Sequence, residues 1–88
     1  MSTRRLFGKL RSFRAHPADP ESGRIIFFGR DDRLHRFDCD WEPIKQAFID
    51  MFGGPLWDAV KAATDQDFEY TVKNGRVMTL FPITEETK

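Results

Sequence analysis

The chain has 88 residues, a formal net charge of zero and one cysteine. This length predicts a single domain with a thin hydrophobic core. One cysteine excludes an internal disulfide, and no apolar stretch approaches the roughly 20 residues of a membrane-spanning helix. With no apolar segment of the secretory type near its start, we expect a cytoplasmic protein without a membrane span.

The charges are distributed unevenly along the sequence. Residues 1–36 contain nine Lys and Arg against four Asp and Glu, whereas residues 37–88 contain five against ten. Eight of the nine arginines lie in the first part, and arginine is the cation best suited to carboxylates and phosphates. Two interpretations remain open at this point: the halves neutralise each other in the fold, or a basic patch survives on the surface.

Residues 1–23 are predicted to form a basic N-terminal segment followed by a loop. Leu6, Leu10 and Phe13 recur at helical spacing among arginines, which indicates an amphipathic helix. A regular strand would place Leu6 and Leu10 on the face opposite Phe7 and Phe13, so the helix is the preferred interpretation. Two prolines after this segment predict the loop.

Two β-hairpins are predicted. Strands at residues 24–29 and 33–38 are joined by a polar turn, and strands at 67–73 and 76–81 flank Asn74-Gly75, the pair that favours a type I′ turn. The core face of the second hairpin is predicted to hold three opposed pairs: Val72 with Val77, Tyr70 with Thr79, and Phe68 with Phe81. Leu80 would then lie on the opposite face.

Two helices are predicted between the hairpins. The first begins near Trp41 and ends at Gly53, and the second begins at Pro55. Asp38 or Asp40 is expected to cap the first helix by accepting hydrogen bonds from its free amide groups.

The predicted fold class is α+β, a small single domain in the order ββααββ. Its core, residues 24–83, would be a four-stranded antiparallel sheet made from the two hairpins, with the two helices inserted between them. Residues 84–88 are predicted to form a tail.

No motif indicates catalysis, a metal or a cofactor. His35 and Cys39 could project to one side of a strand, but acidic neighbours would raise the pKa of the Cys39 thiol and reduce its reactivity. One cysteine and two histidines do not form a recognisable zinc site, and the acidic residues after position 37 lack the glycine and glutamate of a calcium loop. We therefore expect a protein that is not an enzyme.

The leading hypothesis is a binding module that docks on a larger protein or nucleoprotein machine, in the manner of compact inhibitors from phages or mobile elements. Self-association as a homodimer would be compatible with it. The alternative is a nucleic-acid-binding protein, although a pI of about 6.7 is low for that class. Arginines and aromatic residues are the expected contacts: Arg4, Arg5, Phe7, Arg11, Phe13, Arg14, Arg30, Arg33, Arg36 and Trp57.

Overall fold

A closed five-stranded barrel forms the body of the protein in the computed structural model, which describes residues 3–83. Its elements follow in chain order: β1 (Arg4–His16), β2 (Asp19–Gly29), β3 (Leu34–Asp40), α1 (Trp41–Phe52), α2 (Leu56–Ala63), β4 (Asp67–Lys73) and β5 (Arg76–Pro82). The predicted four-stranded sheet in the order ββααββ is therefore wrong, because a fifth strand precedes both hairpins and closes the sheet on itself.

The strand order around the barrel is β1-β2-β3-β5-β4, and β4 pairs with β1 to close it. Four of the five pairings are antiparallel, whereas β3 and β5 run parallel and meet over only two residue pairs, Asp38–Arg76 and Cys39–Val77. Both helices lie between the third and fourth strands of the sequence.

The N-terminal segment is a strand because a β-bulge alters its alternation. The pairing of β1 with β2 shifts between Leu10 and Ser12, so Arg11 is an extra residue in β1. Leu10 and Phe13 consequently both point into the core, at 0% and 2% exposure, although they are three residues apart. The spacing that predicted a helix is thus produced by a strand with one inserted residue.

A second bulge corrects the register predicted for the C-terminal hairpin. Asn74 and Gly75 both have positive φ, as a type I′ turn requires, and Val72 pairs with Val77 as predicted. Beyond that pair the register shifts by one residue, so Tyr70 pairs with Leu80 instead of Thr79. Every side chain of β5 beyond the bulge therefore lies on the face opposite to the predicted one.

The helices lie close to their predicted positions and cover one end of the barrel. Ile44 and Phe48 of α1 are buried, as are Ala59, Val60 and Ala63 of α2. Asp40 occupies the N-cap position of α1, but its side chain caps no amide; it accepts a hydrogen bond from Arg76 at 2.7 Å. Within residues 3–83, no helix is long and apolar enough to cross a membrane.

Aromatic rings fill the barrel interior. Phe27 and Tyr70 stack with their centroids 3.8 Å apart, and Phe13 stacks on Trp41 at 4.6 Å, where the barrel meets α1. Phe68 contacts Phe27 as well as α1, so the barrel and the helices share one continuous core. Such stacked and tilted pairs stabilise the fold beyond simple burial.

The bulge in β5 predicts opposite outcomes for two neighbouring substitutions. Leu80 is 5% exposed and Phe81 is 60% exposed. We expect Leu80→Ala to lower the free energy of unfolding by about 2–5 kcal/mol, because it leaves a cavity. Phe81→Ala should change it by no more than about 0.5 kcal/mol. Urea denaturation followed by tryptophan fluorescence measures both values, and a larger loss for Phe81→Ala would contradict the bulged register.

Candidate binding surface

Three exposed arginines lie together on the outer side of β1, β2 and β3. Arg14 of β1 is paired across the sheet with Arg24 of β2, and Arg36 of β3 is paired with Ile26 of β2. With Ser12, these residues line a shallow depression of about 330 Å³. We call this surface the arginine face and define it by Ser12, Arg14, Arg24, Ile26 and Arg36.

The three arginines of this face form no ion pair with any carboxylate among residues 3–83. Some arginines elsewhere do form ion pairs. Arg5 contacts Glu69 at 3.2 Å, and Arg11 contacts Asp65 at 2.6 Å. The two halves of the sequence therefore neutralise each other only in part, and a basic patch remains exposed.

Arg24 has one side-chain hydrogen-bond contact within residues 3–83, with His16, whose Nε2 lies 3.3 Å from the guanidinium. Asp38 is the cross-strand neighbour of Arg24 in β3 but forms no ion pair with it. The backbone N–H of Ala18 donates to His16 Nδ1 at 3.2 Å, which makes Nδ1 the acceptor. A neutral imidazole has one acceptor nitrogen, so it cannot accept from Ala18 and from Arg24 at the same time, and a guanidinium has five N–H donors. His16 therefore engages at most a small part of the donor capacity of Arg24. The other donors of Arg24 remain available to an external anion.

An apolar edge borders the arginine face towards the turn between β2 and β3. Phe28 of β2 is paired with Leu34 of β3, and Leu34 is 54% exposed. The Arg11 guanidinium lies over the Phe28 ring at 5.5 Å from its centroid. The surface thus combines unpaired cations with apolar side chains that a partner could cover.

A second group of the residues that were predicted to contact a partner lies at the end of the barrel opposite the helices. A cavity of about 380 Å³ opens there, and we call it the barrel mouth. Its wall contains three arginines, three aromatic residues, the pair Asp31 and His35, and two further residues. The full lining is Arg4, Arg5, Leu6, Phe7, Gly29, Arg30, Asp31, His35, Phe37 and Tyr70. Arg30 lies over the Phe7 ring at 4.8 Å.

Asp31 is held by the turn between β2 and β3. Its carboxylate accepts a hydrogen bond from the backbone N–H of Arg33 at 3.1 Å and lies 3.0 Å from His35 Nε2. The hydrogen bond with His35 is the main reason that the pKa of Asp31 is lowered. Much of the negative charge in the barrel mouth is therefore already engaged by protein groups.

The remaining predicted contacts are dispersed. Phe13 is a core residue and presents almost no surface to a partner. Trp57 is 56% exposed but lies beside Trp41 at the helical end, and Arg33 is in the turn after β2. Arg24 belongs to the arginine face but is missing from the predicted contacts. Its alternation with the buried Ile25 and Phe27 in β2 was the signal that could have identified it.

In the described part of the chain, neither surface holds a thiol. Cys39 is fully buried, and burial raises the pKa of its thiol to about 12. Within residues 3–83, no cluster of three or more potential ligands could hold a metal ion. Both surfaces present hydrogen-bond donors and aromatic or apolar side chains.

Comparison of the chain with protein-family models, curated proteins and solved structures gave no match.

The buried Cys39 thiol predicts a loss of stability at alkaline pH. An unfolded thiol ionises near its ordinary pKa of 9.0, whereas the folded protein retains the proton up to about 12. The stability that the buried neutral thiol contributes is complete below pH 9 and is lost as the pH rises towards 12. By pH 10 the free energy of unfolding has fallen by about 1 kcal/mol. Urea denaturation between pH 8 and 10 should show this decline, and Cys39→Ala should show a flatter one. Equal slopes in the two proteins would contradict this assignment.

Proposed function

We propose that this protein is a non-enzymatic binding module that docks on a larger protein or nucleoprotein complex through the arginine face. The observation that supports this most directly is the clustering of Arg14, Arg24 and Arg36 without carboxylate partners in the described chain. Unpaired guanidinium groups on one face provide donors for a partner's carboxylates or phosphates.

The mixture of charge and apolar surface favours a protein partner. Ile26 lies among the arginines, and Phe28 and Leu34 border them. Protein interfaces are enriched in arginine and aromatic residues, with apolar anchors that become buried and charges that orient the partner. An acidic protein surface with an apolar centre is complementary to this arrangement. Occupying such a surface is sufficient for an inhibitor to act.

Binding of single-stranded nucleic acid is the second candidate, and the topology of the barrel favours it. OB-fold proteins are also five-stranded barrels, and they bind oligonucleotides across the face of their second and third strands. Arg24 and Arg36 lie on that face here. This support is an analogy at the level of the fold, and the formal net charge of zero weakens it.

Charge reversal on the arginine face tests the proposal. The variant combines Arg14→Glu, Arg24→Glu and Arg36→Glu, and the matched control combines Arg33→Glu, Lys61→Glu and Lys73→Glu at exposed positions outside the face. Both variants change the net charge equally. We expect the first to reduce capture of the partner from a lysate of the source cells at least about tenfold, and the control to retain it.

Nuclease treatment and salt separate the two candidates. A partner retained after nuclease treatment, and lost with the arginine-face variant, supports protein docking. Nucleic acid binding predicts that capture disappears with nuclease and that a single-stranded oligonucleotide binds with a logarithmic salt slope near about −2 for three phosphate contacts. Unchanged capture by the arginine-face variant would refute docking through this surface.

A further inference from the structure

We propose that the barrel mouth is a binding site for a nucleoside phosphate, either a free nucleotide or the terminal nucleotide of a strand. None of its residues belongs to the arginine face, so the inference does not rest on the proposed function. A cavity of about 380 Å³ is within the usual range for small-molecule sites, about 300–1,000 Å³.

The cations of the barrel mouth suit the phosphate. Arg4, Arg5 and Arg30 all line the cavity. Arg5 also pairs with Glu69, whereas Arg4 and Arg30 form no ion pair with any carboxylate in residues 3–83. Guanidinium groups bind phosphate oxygens through paired, charge-assisted hydrogen bonds. Two of them are therefore free to do so in this cavity.

The aromatic residues of the barrel mouth suit the base. Phe7 is 36% exposed, and Phe37 packs edge-on against Tyr70 with centroids 5.7 Å apart. Stacking on an aromatic side chain stabilises a bound base by about 1–3 kcal/mol and accepts any base. The guanidinium of Arg30 over Phe7 brings a cation to the same part of the cavity as a ring. A ligand with a planar ring and a phosphate matches both features.

The Tyr70 side chain contributes a hydroxyl to the lining of the barrel mouth. Tyr70 is 1% exposed, yet its hydroxyl forms no hydrogen bond with residues 3–83. No fully enclosed side-chain oxygen or nitrogen in that range lacks a partner, and Tyr70 lines the cavity. This combination favours a hydroxyl at the cavity wall. Burial is the main reason that the pKa of Tyr70 is raised to about 12, and of the nearby charges in the barrel mouth Asp31 also raises the pKa while Arg4 lowers it. The hydroxyl is therefore a donor for a ligand oxygen.

Titration with adenosine and uridine 5′-monophosphate tests the site on the full chain. We expect both nucleotides to bind by calorimetry and to shift the amide NMR signals of Gly29 to Asp31. Adenosine and inorganic phosphate should each bind at least about tenfold more weakly, because each lacks one of the two recognised parts. An oligonucleotide with a terminal phosphate, compared with one lacking it, distinguishes a strand end from a free nucleotide.

Two substitutions separate binding in the cavity from general attraction of anions. Tyr70→Phe removes only the hydroxyl and should weaken nucleotide binding about fivefold, and Arg30→Gln should weaken it about tenfold or more. Arg33→Gln in the same turn, which does not line the cavity, should leave affinity unchanged. The arginine-face variant should also retain nucleotide binding.

Several results would overturn this inference. They are an absence of binding at millimolar nucleotide, equal affinity for inorganic phosphate, and an equal loss of affinity in Arg33→Gln and Arg30→Gln. Loss of partner capture in the arginine-face variant with intact nucleotide binding would support both proposals separately. Intact partner capture together with intact nucleotide binding in that variant would refute docking through the arginine face while leaving the nucleotide site supported. Loss of nucleotide binding in that variant would refute the site in the barrel mouth.

Discussion

Closure of the barrel by β1 is the constraint on which the rest of the structure depends. Gly8 lies at its centre, paired with Gly29 of β2 on one side and with Phe68 of β4 on the other. A Cβ atom at Gly8 would stand 3.0 Å from the Phe28 carbonyl oxygen, closer than most real contacts. The absence of a side chain there lets the neighbouring strands approach, and the closed sheet has an interior that aromatic rings can fill.

Closure also explains why an uneven distribution of charge along the sequence produces an uneven distribution of charge on the surface. Antiparallel pairing brings alternate residues of β1, β2 and β3 into rows, so cations distant in the sequence become neighbours. Arg14, Arg24 and Arg36 meet in this way, while Arg11 finds Asp65 before β4. The acidic second half of the chain therefore neutralises some of these cations and leaves one face positive.

Local features of the sequence were predictable, whereas features that depend on barrel closure were not. The Asn74-Gly75 turn and the two helices follow from backbone preferences within a few residues. The helix predicted for the first segment was wrong because a bulge at Arg11 imitates helical spacing, and a bulge has no reliable sequence signal. Arginines were correctly identified as abundant in the first half, but their division between the arginine face and the barrel mouth required the pairing of strands.

The parallel contact between β3 and β5 is the shortest strand pairing in the barrel. It consists of two residue pairs, a hydrogen bond from the Asp38 amide to the Gly75 carbonyl at 3.3 Å, and the surface ion pair of Arg76 with Asp40. Every other strand pairing is longer. We therefore expect local opening of the fold to begin at the β3–β5 contact, and the amide protons beside it to exchange with solvent before those of β1 and β2. Since salt screens an exposed ion pair, we expect a higher ionic strength to weaken the β3–β5 contact while the aromatic interior holds the remaining strands together.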